Sequence, residues 1–287
     1  SSNEDKMQCQ HIVEYFFNSR FIMTPQEENI YSINWGRLDE LDKYKLNKNL
    51  LFLSLDYPAD STIDILVNRI MKKNNITNNI SSSIDLFAKN QKVLICKSTD
   101  TVELEKELAV YFPWMASEYN HNIYSNYYEY IKSKGQNSNI ESFLANQFNI
   151  SMFIQEDYEL IQHKGDFAWI GRGYPYRWIM FYKLNKSQID TIFNPYNFFK
   201  YILESNDIGI SIYDDYKKKS ILSYNQSDLY VYRGVYSHKE SQTGGPFALY
   251  LLDNMNTDEV ILVASIVNNP GNSKMPHLLQ MDALIKN

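Results

Sequence analysis

Two apolar runs set the terms on which this chain can fold. Leu50-Leu51-Phe52-Leu53-Ser54-Leu55 and Val93-Leu94-Ile95-Cys96 are short, continuous and without polar alternation. Such runs suit strands buried on both faces, and those strands need helices to cover them. The sequence supplies the helices. After Pro58, Ser61 or Thr62 can cap a helix whose Ile63, Leu66, Val67 and Ile70 fall at helical spacing. After the second run, Asp100 caps another, with Glu103 in the capping-box position and Leu104, Leu108 and Tyr111 along one face. Pro113 is expected to kink or end it, and Tyr-rich helical sequence resumes from Met115 to Lys132, stopping at Gly135. Upstream, Met7 to Phe17 reads as a helix and Ile30 to Trp35 as a strand. The Asn-rich stretch Asn74 to Ser83 reads as a loop.

The second half has a different pattern. Ile150 to Ile154, Tyr158 to His163, Phe167 to Gly171 and Trp178 to Leu184 are short strand-like segments with turn-sized gaps, as in an antiparallel meander. A helical segment follows from Ser187, restarted by Asn194-Pro195 as cap and first-turn proline. Leu229 to Tyr236, Phe247 to Leu252 and Glu259 to Val267 are again strands, and Met275 to Ile285 closes the chain as a helix. The fold class is therefore α+β, with antiparallel or mixed sheets, packed helices and room for two similar α/β lobes. A chain of 287 residues is longer than most single cores grow. The seam is placed near residue 148, giving an N-terminal lobe over 1–148 and a C-terminal lobe over 149–287, with packing as one domain left open.

Composition narrows the function classes. Hydrophobic residues make up 44% and charged residues 22%, the balance of a globular protein rather than a disordered one. A net charge of −6 argues against a nucleic-acid partner. The one basic run, Lys217-Lys218-Lys219 after Asp214-Asp215, reads as a solvated loop. No stretch approaches the roughly 20 apolar residues of a membrane span. Aromatics stand out at 15%, with 23 Tyr and 15 Phe. They fit a protein that stacks sugars or bases, but the bias of an AT-rich genome accounts for them more simply. Cys96 reads as a buried small hydrophobe and Cys9 lies in a polar helix, which leaves a disulfide undecided.

No serine-nucleophile elbow, zinc-protease motif, paired cysteines or P-loop is present, so no catalytic residue is assigned. His11, His121, His163, His238 and His277 show no metal-ligand spacing, and neither metal nor cofactor is expected. The oxygens of Asp253 to Glu259 could hold Ca²⁺, but a polar hairpin turn explains them as well. Two regions remain. Arg233 lies in an apolar strand and must find an anion or carbonyls, while Gly244-Gly245 allows close backbone approach and could nest an anion. With His238 these residues either line a ligand pocket or pin an irregular hairpin. In the other region, Trp169 and Arg172, followed by Arg177 and Trp178, either stack a planar ligand or sugar or simply alternate into a core.

Phe167-Ala168-Trp169-Ile170, Arg233-Gly234-Val235-Tyr236, Gly244-Gly245-Pro246-Phe247 and Val267-Asn268-Asn269-Pro270-Gly271, continuing from Lys274 to Leu284, resemble in order the landmarks of a Bacteroidetes lipoprotein family, the domain of unknown function 4837. Pro25-Gln26-Glu27-Glu28-Asn29-Ile30-Tyr31 and Lys48-Asn49-Leu50-Leu51 extend the resemblance over nearly the whole chain. Departures from the family pattern are Tyr236 where Trp is usual, Thr243 where Met is usual, and Ile210-Ser211-Ile212-Tyr213. A strand that usually precedes the first helix is missing. The resemblance implies an exported protein of the cell envelope (periplasm or outer membrane), tethered by an N-terminal lipid on a cysteine outside this chain. Ser1-Ser2-Asn3-Glu4-Asp5 suits the tether. Asp60-Ser61-Thr62, Asp100-Thr101-Val102 and Asp190-Thr191-Ile192 resemble glycosylation sites of exported proteins in that phylum. The resemblance implies no activity.

Three functions follow as expectations. One is a non-catalytic binding protein for an envelope protein, lipid or cell-wall component. Another is an unrecognised hydrolase-like enzyme with Arg233 as anion clamp and His238 and Asp253 as acid–base groups, Arg172 contributing if the sheets meet. The third is a glycan-binding module, which predicts exposed, coplanar aromatics and loses most of its support if Trp35, Trp114, Trp169 and Trp178 are all buried.

Overall fold

A computed structural model describes every residue except 1–2, 20, 57–60, 190–192, 225–226 and 254–256. The chain forms two compact units, Ser1–Phe21 with Asn29–Asn126 and Ile22–Glu28 with Tyr127–Asn287. The division falls at Asn126, within a helix, whereas the sequence places the seam near residue 148.

The first unit contains the helix α1 (Asn3–Asn18), the one-turn helix α2 (Leu41–Tyr44) and the strand β3 (Asn49–Leu55), while the two-residue strands β1 (Phe21–Ile22) and β2 (Glu28–Asn29) between α1 and α2 each have one residue on either side of the division. It continues through α3 (Ser61–Lys73), β4 (Ile80–Ile84) and β5 (Lys92–Ser98) into α4 (Thr101–Lys132). The strand order is β3-β5-β4, with β3 parallel and β4 antiparallel to β5. Strand alternation explains the continuous apolar runs. Leu53 and Leu55 meet Cys9, Val13, Leu104 and Leu108 of α1 and α4. Phe52, Val93 and Ile95 face the other way, onto Ile63, Val67 and Ile70 of α3.

Several local expectations change here. Ile80 to Ile84 is a strand, although three serines at its centre give it no apolar signal. Helix α4 passes through Pro113 unbroken, because Phe112, Met115, Ala116 and Tyr119 around it are all buried. Its start is as expected, with Asp100 Oδ1 accepting from the N–H groups of Val102 and Glu103, each at 2.9 Å. Residues 31–36 join no sheet, yet Tyr31, Ile33 and Trp35 still pack against the core at period two. Cys9 and Cys96 are both free thiols in one buried cluster, and burial pushes each up to about 12. Pro58, Asp60, Asp190-Thr191-Ile192 and the side chains of Ser61 and Thr62, for which the sequence gives expectations, lie outside the described residues, as do the middle of the Asp253–Glu259 turn and Ser1-Ser2.

The second unit is built on seven antiparallel strands: β6 (Glu159–Lys164), β7 (Phe167–Arg172), β8 (Tyr176–Asn185), β9 (Ile210–Tyr224), β10 (Ser227–His238), β11 (Gly244–Asp253) and β12 (Glu259–Asn268). Their order is β6-β7-β8-β12-β11-β10-β9. The helices are α5 (Ser138–Phe148), α6 (Pro195–Ser205) and α7 (Met275–Lys286). Residues of α6 join Phe247, Leu249, Ala264 and Ile266 on one face of the sheet, while α7 lies on the other. Asn194 caps α6, its Oδ1 accepting from Tyr196 N and Asn197 N. Among the described residues the helical segment expected from Ser187 forms a 3₁₀ turn, Lys186–Gln188. Ile150 to Ile154 is not a strand. Lys217-Lys218-Lys219 is not a loop but part of β9, opposite Gly234, Arg233 and Tyr232. Lysines suit such an edge strand, since they keep it from pairing further. Among the described residues the fold is α+β, with one three-stranded mixed sheet, one seven-stranded antiparallel sheet, the two-stranded pair β1-β2 and packed helices.

Candidate functional site

Strand alternation sorts the candidate residues of the second unit onto opposite faces of its sheet. On the α7 face, Arg233 is 7% exposed and its Nη2 lies 2.5 Å from Oδ2 of Asp282. Asp282 is fully buried, and its Oδ1 accepts a hydrogen bond from the Tyr250 hydroxyl. Burial first, and then the Asp282 carboxylate, hold the Tyr250 hydroxyl well above its ordinary range, so it remains a donor. The trio ties α7 to β10 and β11.

His238, five residues further along β10, belongs to the opposite face. Arg233 and His238 therefore do not converge, and the pocket expected from them is divided by the sheet. Asp253 pairs instead with Lys186 at 2.9 Å. Gly244 and Gly245 open β11 in regular register with Ser237 and Tyr236. They are needed for close packing: a Cβ would stand 2.4 Å from the Tyr236 carbonyl at Gly244 and 2.1 Å from the Val267 carbonyl at Gly245. Arg172 also lies on the α7 face, ion-paired to Asp157, with Nη1 donating to Gln155 Oε1 at 3.0 Å.

The α6 face carries a cleft of about 800 Å³. Trp169 of β7 and Trp178 of β8 line it, together with Lys200, Glu204 and Asp207 from α6 and its C-terminal end, and His238. The two indoles meet edge to face, 5.7 Å apart at 84°, rather than forming a coplanar platform. Gly171 permits this, because a Cβ there would lie 2.5 Å from Trp178 Cδ1. Trp169 Nε1 is buried and has no hydrogen-bond partner among the described residues. Tyr176, tilted against Trp178 at 6.0 Å, and Tyr174 beyond it continue the aromatic strip, and both are exposed. At the rim, Lys200 Nζ is held by both oxygens of Asp214, at 2.7 and 2.9 Å. Lys200 and Lys217 together keep the Asp214 carboxyl at about 2, so it stays ionised.

Trp169 and His238 thus share one cleft, while Arg172 and Arg233 lie on the other face. Lys200, Glu204 and Asp207 gave no sequence signal, since an exposed charged flank is ordinary in an amphipathic helix. Among the described residues no group of three or more His, Cys, Asp or Glu could hold a metal ion. The first unit holds a smaller cavity of about 210 Å³ against Phe17, Tyr31, Trp35, Tyr44, Leu50 and Tyr119.

The family model described as domain of unknown function (DUF4837) matches residues 137–287. The chain belongs to the DUF4837 family. The matched region contains every strand of the seven-stranded sheet and both of its faces. No curated protein matches the sequence. Among solved structures, one from Bacteroides thetaiotaomicron VPI-5482 is similar at 10% identity and a TM-score of 0.29, covering 47% of this chain and 42% of its own. The chain thus spans less than half the length of that protein. The Saccharomyces cerevisiae Ran-binding protein Mog1p is similar at 8% identity and a TM-score of 0.30, covering 47% of this chain and 86% of its own. LpqN of Mycobacterium tuberculosis, involved in cell envelope biogenesis, is similar at 11% identity and a TM-score of 0.27, covering 47% and 79%. Among the described residues no helix is long and apolar enough to cross a membrane.

Within the DUF4837 region, His277 in the first turn of α7 gives a pH signature. Burial, then Arg177 and Arg172, lower its pKa below the ordinary value of 6.5, with Glu28 opposing. The unfolded chain therefore takes up a proton below about pH 6.5 that the folded chain resists. The stability this neutral imidazole contributes is present above that pH and lost as pH falls. Thermal unfolding from pH 7.5 to 5 is expected to show a steeper acid loss in the wild type than in His277→Gln.

Proposed function

We propose that this DUF4837 protein is a non-catalytic, exported envelope lipoprotein that binds a saccharide in the Trp169–Trp178 cleft. The observation that carries this reading is an aromatic-walled cleft with a polar rim of mixed sign. An apolar ring face can lie on Trp178. Glu204, Asp207 and His238 offer acceptors, Lys200 a donor. A volume of about 800 Å³ lies within the roughly 300–1,000 Å³ usual for ligand sites. The mixture of Lys200 and Lys239 with Glu204, Asp207 and Glu240 favours a polar, uncharged ligand over a strongly ionic one. Export and the lipid tether rest on the family resemblance, and a cell-wall or surface glycan is the partner that fits both.

Isothermal titration with a panel of neutral oligosaccharides tests the proposal. Binding by at least one is expected, weakened at least tenfold (about 1.4 kcal/mol) in Trp178→Ala while the fold is kept. Equal binding by wild type and Trp178→Ala would place the site elsewhere. No binding across the panel would end the saccharide reading.

A further inference from the structure

The α7 face also holds a group of cations that the fold leaves out of balance. Arg172 and Arg177 are register partners across the β7–β8 hairpin, so two guanidinium groups leave adjacent positions on one face. Like charges placed opposite each other destabilise a strand pair, and burial enlarges that cost. Arg172 has Asp157. Arg177 is 7% exposed, and its Nη1 donates to the neutral Gln280 side chain at 2.6 Å. No carboxylate stands within ion-pair distance of Arg177 among the described residues. Burial pulls its pKa below the ordinary value.

Three buried nitrogens in this group have no hydrogen-bond partner among the described residues: Nε of Arg172, Nε of Arg177 and Nδ1 of His277. They come from two neighbouring strands and the first turn of α7. The N-terminus of α7 is already occupied, since the Glu28 carboxylate accepts from Lys274 N at 2.9 Å and Met275 N at 3.0 Å. Buried polar groups are normally satisfied, and these three orphans, one of them on the uncompensated Arg177 guanidinium itself, call for one common partner.

We infer that Arg177, Arg172 and His277 form a site for an oxyanion, the phosphate or carboxylate group of a ligand. The site is separate from the Trp169–Trp178 cleft, being on the opposite face of the sheet, and does not depend on the saccharide reading. Arg177 supplies the unbalanced charge and the deepest donor. Arg172 supplies the second guanidinium, partly neutralised by Asp157, and His277 closes the group with a ring nitrogen.

The test titrates wild type and Arg177→Met with inorganic phosphate and, separately, acetate. Both are run at pH 7.5 and constant ionic strength against chloride, and are read by melting temperature and by ³¹P or ¹³C line broadening of the anion. In the wild type one anion is expected to raise the melting temperature saturably, and which one does so identifies the group. Arg177→Met should weaken that binding at least tenfold, the loss of a charge-assisted contact. Without anion it should melt no lower than the wild type, because an apolar isostere removes an unpaired buried charge. Should Arg177→Met not fold, His277→Gln carries the same comparison, with a several-fold weakening expected. No response of the wild type beyond chloride would overturn the inference. So would an undiminished response in the variants, or a large anion-free loss of stability in a folded Arg177→Met.

Discussion

Asp282→Ala is expected to destabilise the second unit by about 3–5 kcal/mol, because it strands the buried Arg233 guanidinium without its carboxylate. At roughly 2–4 °C per kcal/mol for a unit of this size, the melting temperature should fall by about 10 °C. The mechanism is specific. Asp282 is fully buried, takes Arg233 Nη2 at 2.5 Å on one oxygen and accepts the Tyr250 hydroxyl on the other. Its removal leaves a charge and a phenol in an apolar interior. Arg233→Ala should cost a similar amount for the mirror reason, a carboxylate without its cation. The double variant Arg233→Met/Asp282→Leu should recover most of the loss, since apolar replacement of a buried pair is often neutral. Thermal unfolding of the wild type, Arg233→Met, Asp282→Leu and the double variant as a double-mutant cycle reads this coupling directly. Additive losses would mean that the two side chains do not depend on each other.

The second large effect is expected at Gly245. A methyl there would lie 2.1 Å from the Val267 carbonyl and 3.2 Å from the Tyr236 ring. The nearer obstacle is backbone of the neighbouring strand β12, which cannot swing aside as a flexible side chain could. Overpacking typically costs 1–3 kcal/mol, and this contact belongs at or above the top of that range, about 3 kcal/mol. Gly245→Ala should therefore lower the melting temperature by several degrees. Gly173→Ala, where nothing lies within 4 Å, serves as the matched control and should leave it unchanged.

These two sites show how far sequence reasoning reaches. An arginine in an apolar strand announces that it needs a counter-charge, and Arg233 has one. Its partner was not legible, because Asp282 sits 49 residues away in a helix that reads simply as amphipathic. The glycine pair was legible as a place of close backbone approach, but only the register shows that the neighbours are carbonyls of adjacent strands. Continuous apolar runs gave β3 and β5 directly. Strand β4 was hidden because Ser81, Ser82 and Ser83 carry no hydrophobic pattern. The lysines of β9 were hidden because an edge strand exposes side chains that a loop would also expose. The Trp169 cleft follows the same rule. Its tryptophans stand out in the sequence, whereas Glu204, Asp207 and His238 become neighbours only when α6 and the end of β10 are brought to one face.

A ligand seated on Trp169 and Trp178, as proposed, is reported most directly by the indole N–H resonances. The protein has four tryptophans, so four indole signals can be assigned and followed during titration with the tightest-binding oligosaccharide of the panel. Trp169 and Trp178 are expected to shift together, while Trp35 and Trp114 stay in place. Saturable binding that moves Trp35 or Trp114 while leaving Trp169 and Trp178 unchanged would contradict the proposed seat.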